Sequence, residues 1–110
     1  MNVDTNLLKG NLDLILLSIL EDEPRYGLEI IGEAKSRTDG YFDFQEGSLY
    51  PALHRLEKNK LLKPEYRPSD SGGPSRKYYH VTAKGKKHLA ERRESYAAFS
   101  DAMRALGEAK

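Results

Sequence analysis

The side chains best able to act on a partner gather in one stretch, Glu46-Gly47-Ser48-Leu49-Tyr50-Pro51-Ala52-Leu53-His54-Arg55-Leu56-Glu57-Lys58. At about 100° per residue, Leu49, Ala52, Leu53 and Leu56 fall on one face, as a helix buried on one side requires. The opposite face carries Pro51, His54 and Lys58, flanked by Tyr50 and Arg55. An imidazole, a phenol and two cations are groups that meet base edges and phosphates, although an ordinary solvated helix face holds the same types. Catalysis has less to work with. The three histidines, His54, His80 and His88, come without a metalloprotease, nucleophile-elbow, phosphate-loop or dinucleotide motif. The chain therefore reads as a non-enzyme without a cofactor, with His80 and His88 as surface groups. Asp39, Asp43 and Glu46 straddle a turn and are not read as a metal site.

Charge supports a polyanionic partner once it is placed along the chain. The net charge is only +1, but residues 54–93 hold twelve Lys or Arg against four Asp or Glu, net +8, and the remainder is net −7. Segregation of this kind says more about partners than the total does. At 110 residues, with 38% hydrophobic and 32% charged, the chain fits one domain with a modest core. Cysteine is absent, which excludes disulfides and thiolate zinc sites. There is no apolar run of the roughly 20 residues a membrane span needs, and no secretory leader pattern. A cytoplasmic location without a membrane partner is the expectation.

Several elements must position that helix. Residues 6–20 are apolar nearly all round and predict one helix, with Leu8, Leu12, Ile15, Leu16 and Ile19 on a broad face and Leu7, Leu14 and Leu17 pointing away. The second face suits either another subunit or the interior of the same one. Glu21-Asp22-Glu23-Pro24 stops the helix and starts a turn. Residues 26–38 predict a second helix, with Leu28, Ile31 and Ala34 inward and Gly27 and Gly32 allowing close approach; Thr38-Asp39-Gly40 ends it. Only residues 41–45 then separate it from the basic helix, a spacing close to helix-turn-helix. Ser48 is a candidate cap, and Pro51 is assigned to the first turn. Residues 61–68 and 76–81 predict two short strands around the flexible tip Ser69-Asp70-Ser71-Gly72-Gly73-Pro74-Ser75. Pro64 and Pro68 suit an edge strand. Arg67, Arg76 and Lys77 flank the tip, within reach of a phosphate backbone if the ribbon lies beside the helix.

The stretch Gly47-Ser48-Leu49-Tyr50-Pro51-Ala52-Leu53-His54-Arg55-Leu56-Glu57, followed by Gly72-Gly73-Pro74-Ser75-Arg76-Lys77-Tyr78-Tyr79-His80-Val81-Thr82-Ala83-Lys84-Gly85, resembles the PadR-like transcriptional regulators. The resemblance covers about residues 12–89, includes Tyr26-Gly27, and matches the short subgroup with a single C-terminal helix. It implies a dimeric winged helix-turn-helix repressor whose helix from near Ser48 enters the major groove. It also implies a wing over residues 69–77 against the DNA backbone or minor groove, and C-terminal helices that pair. Some members of the family release DNA when an aromatic compound binds between subunits. The chain holds no Trp, the residue type that a drug-binding short member uses in that pocket.

The C-terminal part follows the same outline. Thr82 is a candidate cap for a helix over residues 83–106, with residues 107–110 frayed. Leu89, Tyr96, Phe99, Met103 and Leu106 repeat at 7-3-4-3 and form a candidate dimer seam broken only by Arg92 or Arg93. Tyr96 and Phe99 are either plain packing or the lining of a site for a small aromatic effector. The reading is a mainly α fold with a small β-ribbon: a winged helix-turn-helix over residues 1–82 and a dimerisation helix over residues 83–110, forming one compact unit. Its function is that of a sequence-specific regulator, a repressor, binding a pseudo-palindromic double-stranded DNA operator as a homodimer. Tyr50, His54 and Arg55 are assigned to the groove, Ser48 to the helix entrance, and Lys58, Arg76 and Lys77 to phosphates. The alternative is a winged helix used for protein interaction or small-molecule binding, which would present apolar anchors on the outer helix face.

Overall fold

The computed structural model describes residues 3–108. In chain order the elements are α1 (Thr5–Gly10), α2 (Leu12–Leu20), β1 (Arg25–Tyr26), α3 (Gly27–Arg37), α4 (Glu46–Lys58), β2 (Leu62–Arg67), β3 (Arg76–Val81) and α5 (Ala83–Glu108). The fold is thus mainly helical, with a small antiparallel sheet and a long last helix, as the sequence suggests.

The apolar segment at the start is two helices and not one. Asp4 caps α1 by accepting the Leu7 N–H at 3.0 Å, and Asn11 leaves helical geometry at φ −125°. The break frees the Gly10 carbonyl, which accepts from the Arg92 guanidinium at 3.1 Å, while Asn11 Oδ1 accepts from the same group at 3.0 Å. Arg92 lies far away in sequence, so local pattern gave no sign of it. Leu17, assigned to the outer face, is fully buried with Leu16, and Ile19 and Leu20 complete the buried end of α2. That face is therefore internal to the chain at α2.

After Pro24 the chain runs extended instead of turning freely. Arg25 and Tyr26 pair with Tyr79 and Tyr78, so the predicted ribbon is a three-stranded sheet of order β1-β3-β2. Arg25 is 8% exposed and is balanced by Asp22, Glu23 and Glu33 at 3.0–3.3 Å. A buried cation needs such partners, and the acidic turn that ends α2 supplies two of them.

In α3, Ile30 and Ala34 enter the core as the helical period requires, but Leu28 is 56% exposed. Gly32 has open space where a Cβ would stand, whereas Gly27 lies under the Tyr50 ring with no room for one. The Thr38 hydroxyl ends the helix by donating to the Ala34 carbonyl at 2.6 Å and accepting the Phe42 N–H at 2.9 Å. Asp39 and Gly40 then take positive φ of 53° and 84°, reversing the chain toward α4.

The N-cap of α4 is Gln45, so Ser48 lies inside the first turn and caps nothing. Pro51 consequently falls in the second turn, where it cannot donate to the Gly47 carbonyl. Leu49, Ala52, Leu53 and Leu56 are all buried, in agreement with the period. Pro64 lies on the outer strand β2, in register with Tyr79. Residues 68–75 make the tip, with Gly72 at φ 77°.

Thr82 seats α5. Its hydroxyl accepts the Gly85 N–H at 2.9 Å and donates to the Lys60 carbonyl at 2.7 Å. Gly85 is pressed against the Leu61 carbonyl and the Val81 side chain, where a Cβ has no space. Leu89 is only 1% exposed and belongs to the chain's own core, which removes it from the proposed seam. The helix continues through Gly107 and Glu108, past the predicted fraying point; the remainder of that prediction, 109–110, lies outside the described residues. Among the described residues no helix is long and apolar enough to cross a membrane.

Candidate nucleic-acid interface

The outer face of α4 is built by its buried face. Because Leu49, Ala52, Leu53 and Leu56 seat the helix against the core, Gly47, Pro51, His54 and Lys58 are turned away from it and exposed. Ser48 and Arg55 are exposed on one flank, and Tyr50 and Glu57 occupy the other, toward the wing. The structure thus brings together His54, Arg55, Lys58 and Ser48 on one connected surface, with Tyr50 at its edge.

Arg55 differs from its counterparts. The other arginines of the described residues are engaged: Arg25, Arg37, Arg67, Arg92, Arg93 and Arg104 in ion pairs, and Arg76 over the Tyr26 ring at 4.7 Å. Arg55 alone has no side-chain partner among the described residues, and it borders a small cleft with Lys9, Asn59 and His88. An exposed guanidinium without an internal acceptor is available to a bidentate one.

Tyr50 is 41% exposed, with its ring laid over Gly27. Partial burial, reinforced by the Glu46 carboxylate, holds its hydroxyl above the usual phenol range, so it stays a neutral donor and acceptor.

The wing departs from expectation at Lys77. Its ammonium lies 2.8 Å from Glu57 Oε1 on α4 and stands over the Tyr79 and Tyr66 rings at 5.3 and 6.0 Å. The Glu57 carboxylate, against a smaller opposing effect of burial, raises the ammonium above its ordinary range. Lys77 is therefore paired within the chain, with its side chain 31% exposed. Arg76 keeps a planar, half-exposed guanidinium on the wing, and Arg67 stacks on Tyr78 at 4.1 Å while pairing with Glu65 at 2.9 Å. His80, read as a surface group, also contacts Glu65, at 2.6 Å.

His88 is likewise not a free surface group. It contacts Asp13 Oδ2 at 2.8 Å, and Arg92 donates to the same carboxylate at 3.2 Å. Burial pushes the Asp13 carboxyl up, but bonds from His88, the Leu14 N–H and Arg92 more than offset it, leaving Asp13 below its ordinary value. Arg93 adds a two-pronged pair with Glu21 at 2.9 and 3.0 Å. The arginines that appeared to interrupt an apolar seam are thus the groups that dock α5 on α2.

Beyond Arg93, α5 carries Tyr96, Phe99, Met103 and Leu106 at 47%, 64%, 53% and 75% exposure. Tyr96 also borders an apolar cavity of about 380 Å³ between α1, α2 and the end of α3; Phe99 is not part of its lining. Among the described residues no cluster of His, Asp or Glu is arranged to hold a metal ion.

A helix-turn-helix with a cationic outer face, flanked by an antiparallel wing, defines a winged-helix DNA-binding regulator. Residues 16–91 match the transcriptional regulator PadR-like family, and the chain belongs to that family. It is similar to a transcriptional regulator from Clostridium thermocellum, with TM-score 0.85 and 29% identity over 98% of this chain and 99% of that one. A PadR-like transcriptional regulator from Bacillus cereus is 36% identical, with TM-score 0.81 over 96% of this chain and 100% of that one. Transcriptional regulator YqjI of Escherichia coli is 28% identical over 96 residues, which make up 87% of this chain but only 44% of that protein.

Proposed function

We propose that the protein binds a pseudo-palindromic DNA operator as a homodimer and acts there as a repressor, by occupying promoter duplex. The observation that carries this reading is the unpartnered Arg55 beside His54 and Lys58 on the outer face of α4. Arg55 and His54 read base edges, Tyr50 and Ser48 contact the groove margin, and Lys58 and Arg76 neutralise phosphates. Against the alternative of a protein-interaction module, the centre of that face carries Gly47, Pro51, His54 and Lys58, and its one large exposed ring, Tyr50, lies at the edge. The homodimer is supported by Tyr96, Phe99, Met103 and Leu106, an apolar row that the described residues leave uncovered. Release by a small aromatic compound is supported by the apolar cavity beside Tyr96, with Phe99 reaching such a compound only from the paired arrangement.

Selection of bound sequences from a random duplex pool tests the proposal. The expected result is a two-fold site whose half-sites lie about 34–36 Å apart, one turn of duplex. Failure to enrich any sequence, with equal weak binding to all duplexes, would favour the interaction-module reading.

A further inference from the structure

The flank of α4 that faces the wing holds a contact that the DNA-reading role leaves unused. Glu57 lies one residue before the groove-facing Lys58, but its side chain is 26% exposed and turns to the sheet. Its Oε1 is buried from solvent and accepts no hydrogen bond of good geometry, so its compensation is the charge of Lys77 on β3, 2.8 Å away. Lys77 is in turn fixed by the Tyr79 and Tyr66 rings, and Tyr66 is its register partner on β2. Tyr79, 5% exposed, belongs to the main core. Seven residues back on the same flank of α4, the Tyr50 ring closes over Gly27. One side of the helix is therefore held at two levels, by the Tyr50 ring resting on Gly27 of α3 and by the Glu57–Lys77 ion pair to the wing.

From this arrangement we infer that Glu57 and Lys77 are positioning residues which lock the wing to the reading helix, so that Arg76 and the α4 face meet the duplex as one rigid unit. The chemistry favours a lock over two separate surface charges. A carboxylate oxygen removed from water is costly without its counter-ion, so removing either partner leaves an uncompensated group at the joint. An acidic side chain on the reading helix is also unfavourable near phosphates unless it is neutralised within the protein. Lys77 does this, so its charge is already spent before DNA arrives and releases few counter-ions on binding.

The inference rests on the DNA-binding reading but parts from it under test. Glu57→Gln, Lys77→Met and the double variant are compared with the wild type on the duplex selected by the wild type, across a salt series. Amide hydrogen exchange of residues 62–67 and 76–81 is measured on the free proteins. Each single change is expected to weaken operator binding about tenfold, corresponding to about 1.4 kcal/mol. The double variant should be no weaker than the worse single, because the two residues act as one pair. The salt slope of Lys77→Met should stay at the wild-type value, and wing amides should exchange faster in both singles. A phosphate-binding Lys77 gives the opposite pattern: a slope lowered by about one unit, and Glu57→Gln binding as well as or better than wild type. That pattern would overturn the lock. If the wild type selects no duplex, the DNA reading fails, and the exchange data alone decide the lock, unchanged wing protection in Glu57→Gln disproving it.

Discussion

Arg55 and Lys58 are both exposed cations on α4, and the proposed DNA-binding role gives them different work. Arg55 presents a free planar fork, suited to two acceptors on one base edge, whereas Lys58 is a compact charge on the outermost line of the helix. Arg55→Ala is expected to cost about 1–3 kcal/mol on the selected operator and to relax base preference at one position of each half-site. Lys58→Ala should weaken all duplexes alike and reduce the salt slope by about one unit. Binding isotherms on matched and scrambled duplexes at several salt concentrations separate the two. Unchanged affinity in both variants would move the interface off this face.

At the scale of elements, two joints decide whether α5 stands correctly on the domain. The first is its entry, where Gly85 touches the Leu61 carbonyl and Val81. Because the obstructing atom is backbone, Gly85→Ala cannot be relieved by a rotamer change, and a loss of about 1–3 kcal/mol is expected in denaturant unfolding. The second joint is Asp13 with His88 and Arg92. A carboxylate held below its ordinary value contributes stability that is fully present above the unfolded value of about 3.9 and is lost as pH falls through the lower folded value. Asp13→Asn should therefore lower the melting temperature at neutral pH, and the gap to wild type should close in acid below about pH 4. A gap that persists unchanged in strong acid would show that the ionised carboxylate is not what matters there.

The described residues span 61 × 31 × 21 Å, drawn out by a last helix that leaves the core after Leu89 and Arg93. In the proposed homodimer this apolar row is the contact for the second copy, and the spacing of the two reading helices would depend on how the rows meet. Met103→Arg places a cation in the row of each copy and is expected to dissociate the dimer; equilibrium sedimentation showing an intact dimer of unchanged affinity would remove α5 from the interface. Regulation belongs to the same scale. An aromatic compound in the cavity at Tyr96 releases DNA only if it binds more tightly to a subunit arrangement that does not fit the operator. Titrating operator binding with a panel of aromatic compounds, in wild type and Phe99→Ala, is expected to show a weaker inducer effect in the variant. Compounds that bind without changing operator affinity would separate the cavity from regulation.

What the sequence determined by itself is periodic or local. The buried stripe of α4, the Thr82 cap, the two longer strands around a Gly-rich tip and the segregation of charge all depend on neighbours within a few residues, so pattern reveals them. The tertiary structure decided whatever joins distant segments. Arg92 captures the carbonyl freed at Gly10 and helps split the first apolar segment into two helices. Tyr78 and Tyr79 recruit Arg25-Tyr26 as a third strand, and the turn acids become the counter-ions of a buried Arg25. Leu89 fits a heptad seam by spacing but is claimed by the core, since only packing distinguishes an inward apolar residue from an unpartnered one. Lys77 looks like any wing cation in sequence. Its pairing with Glu57, across a turn and a strand, is fixed only when the ribbon folds back against α4, because an ion pair depends on distance in space and not on separation along the chain.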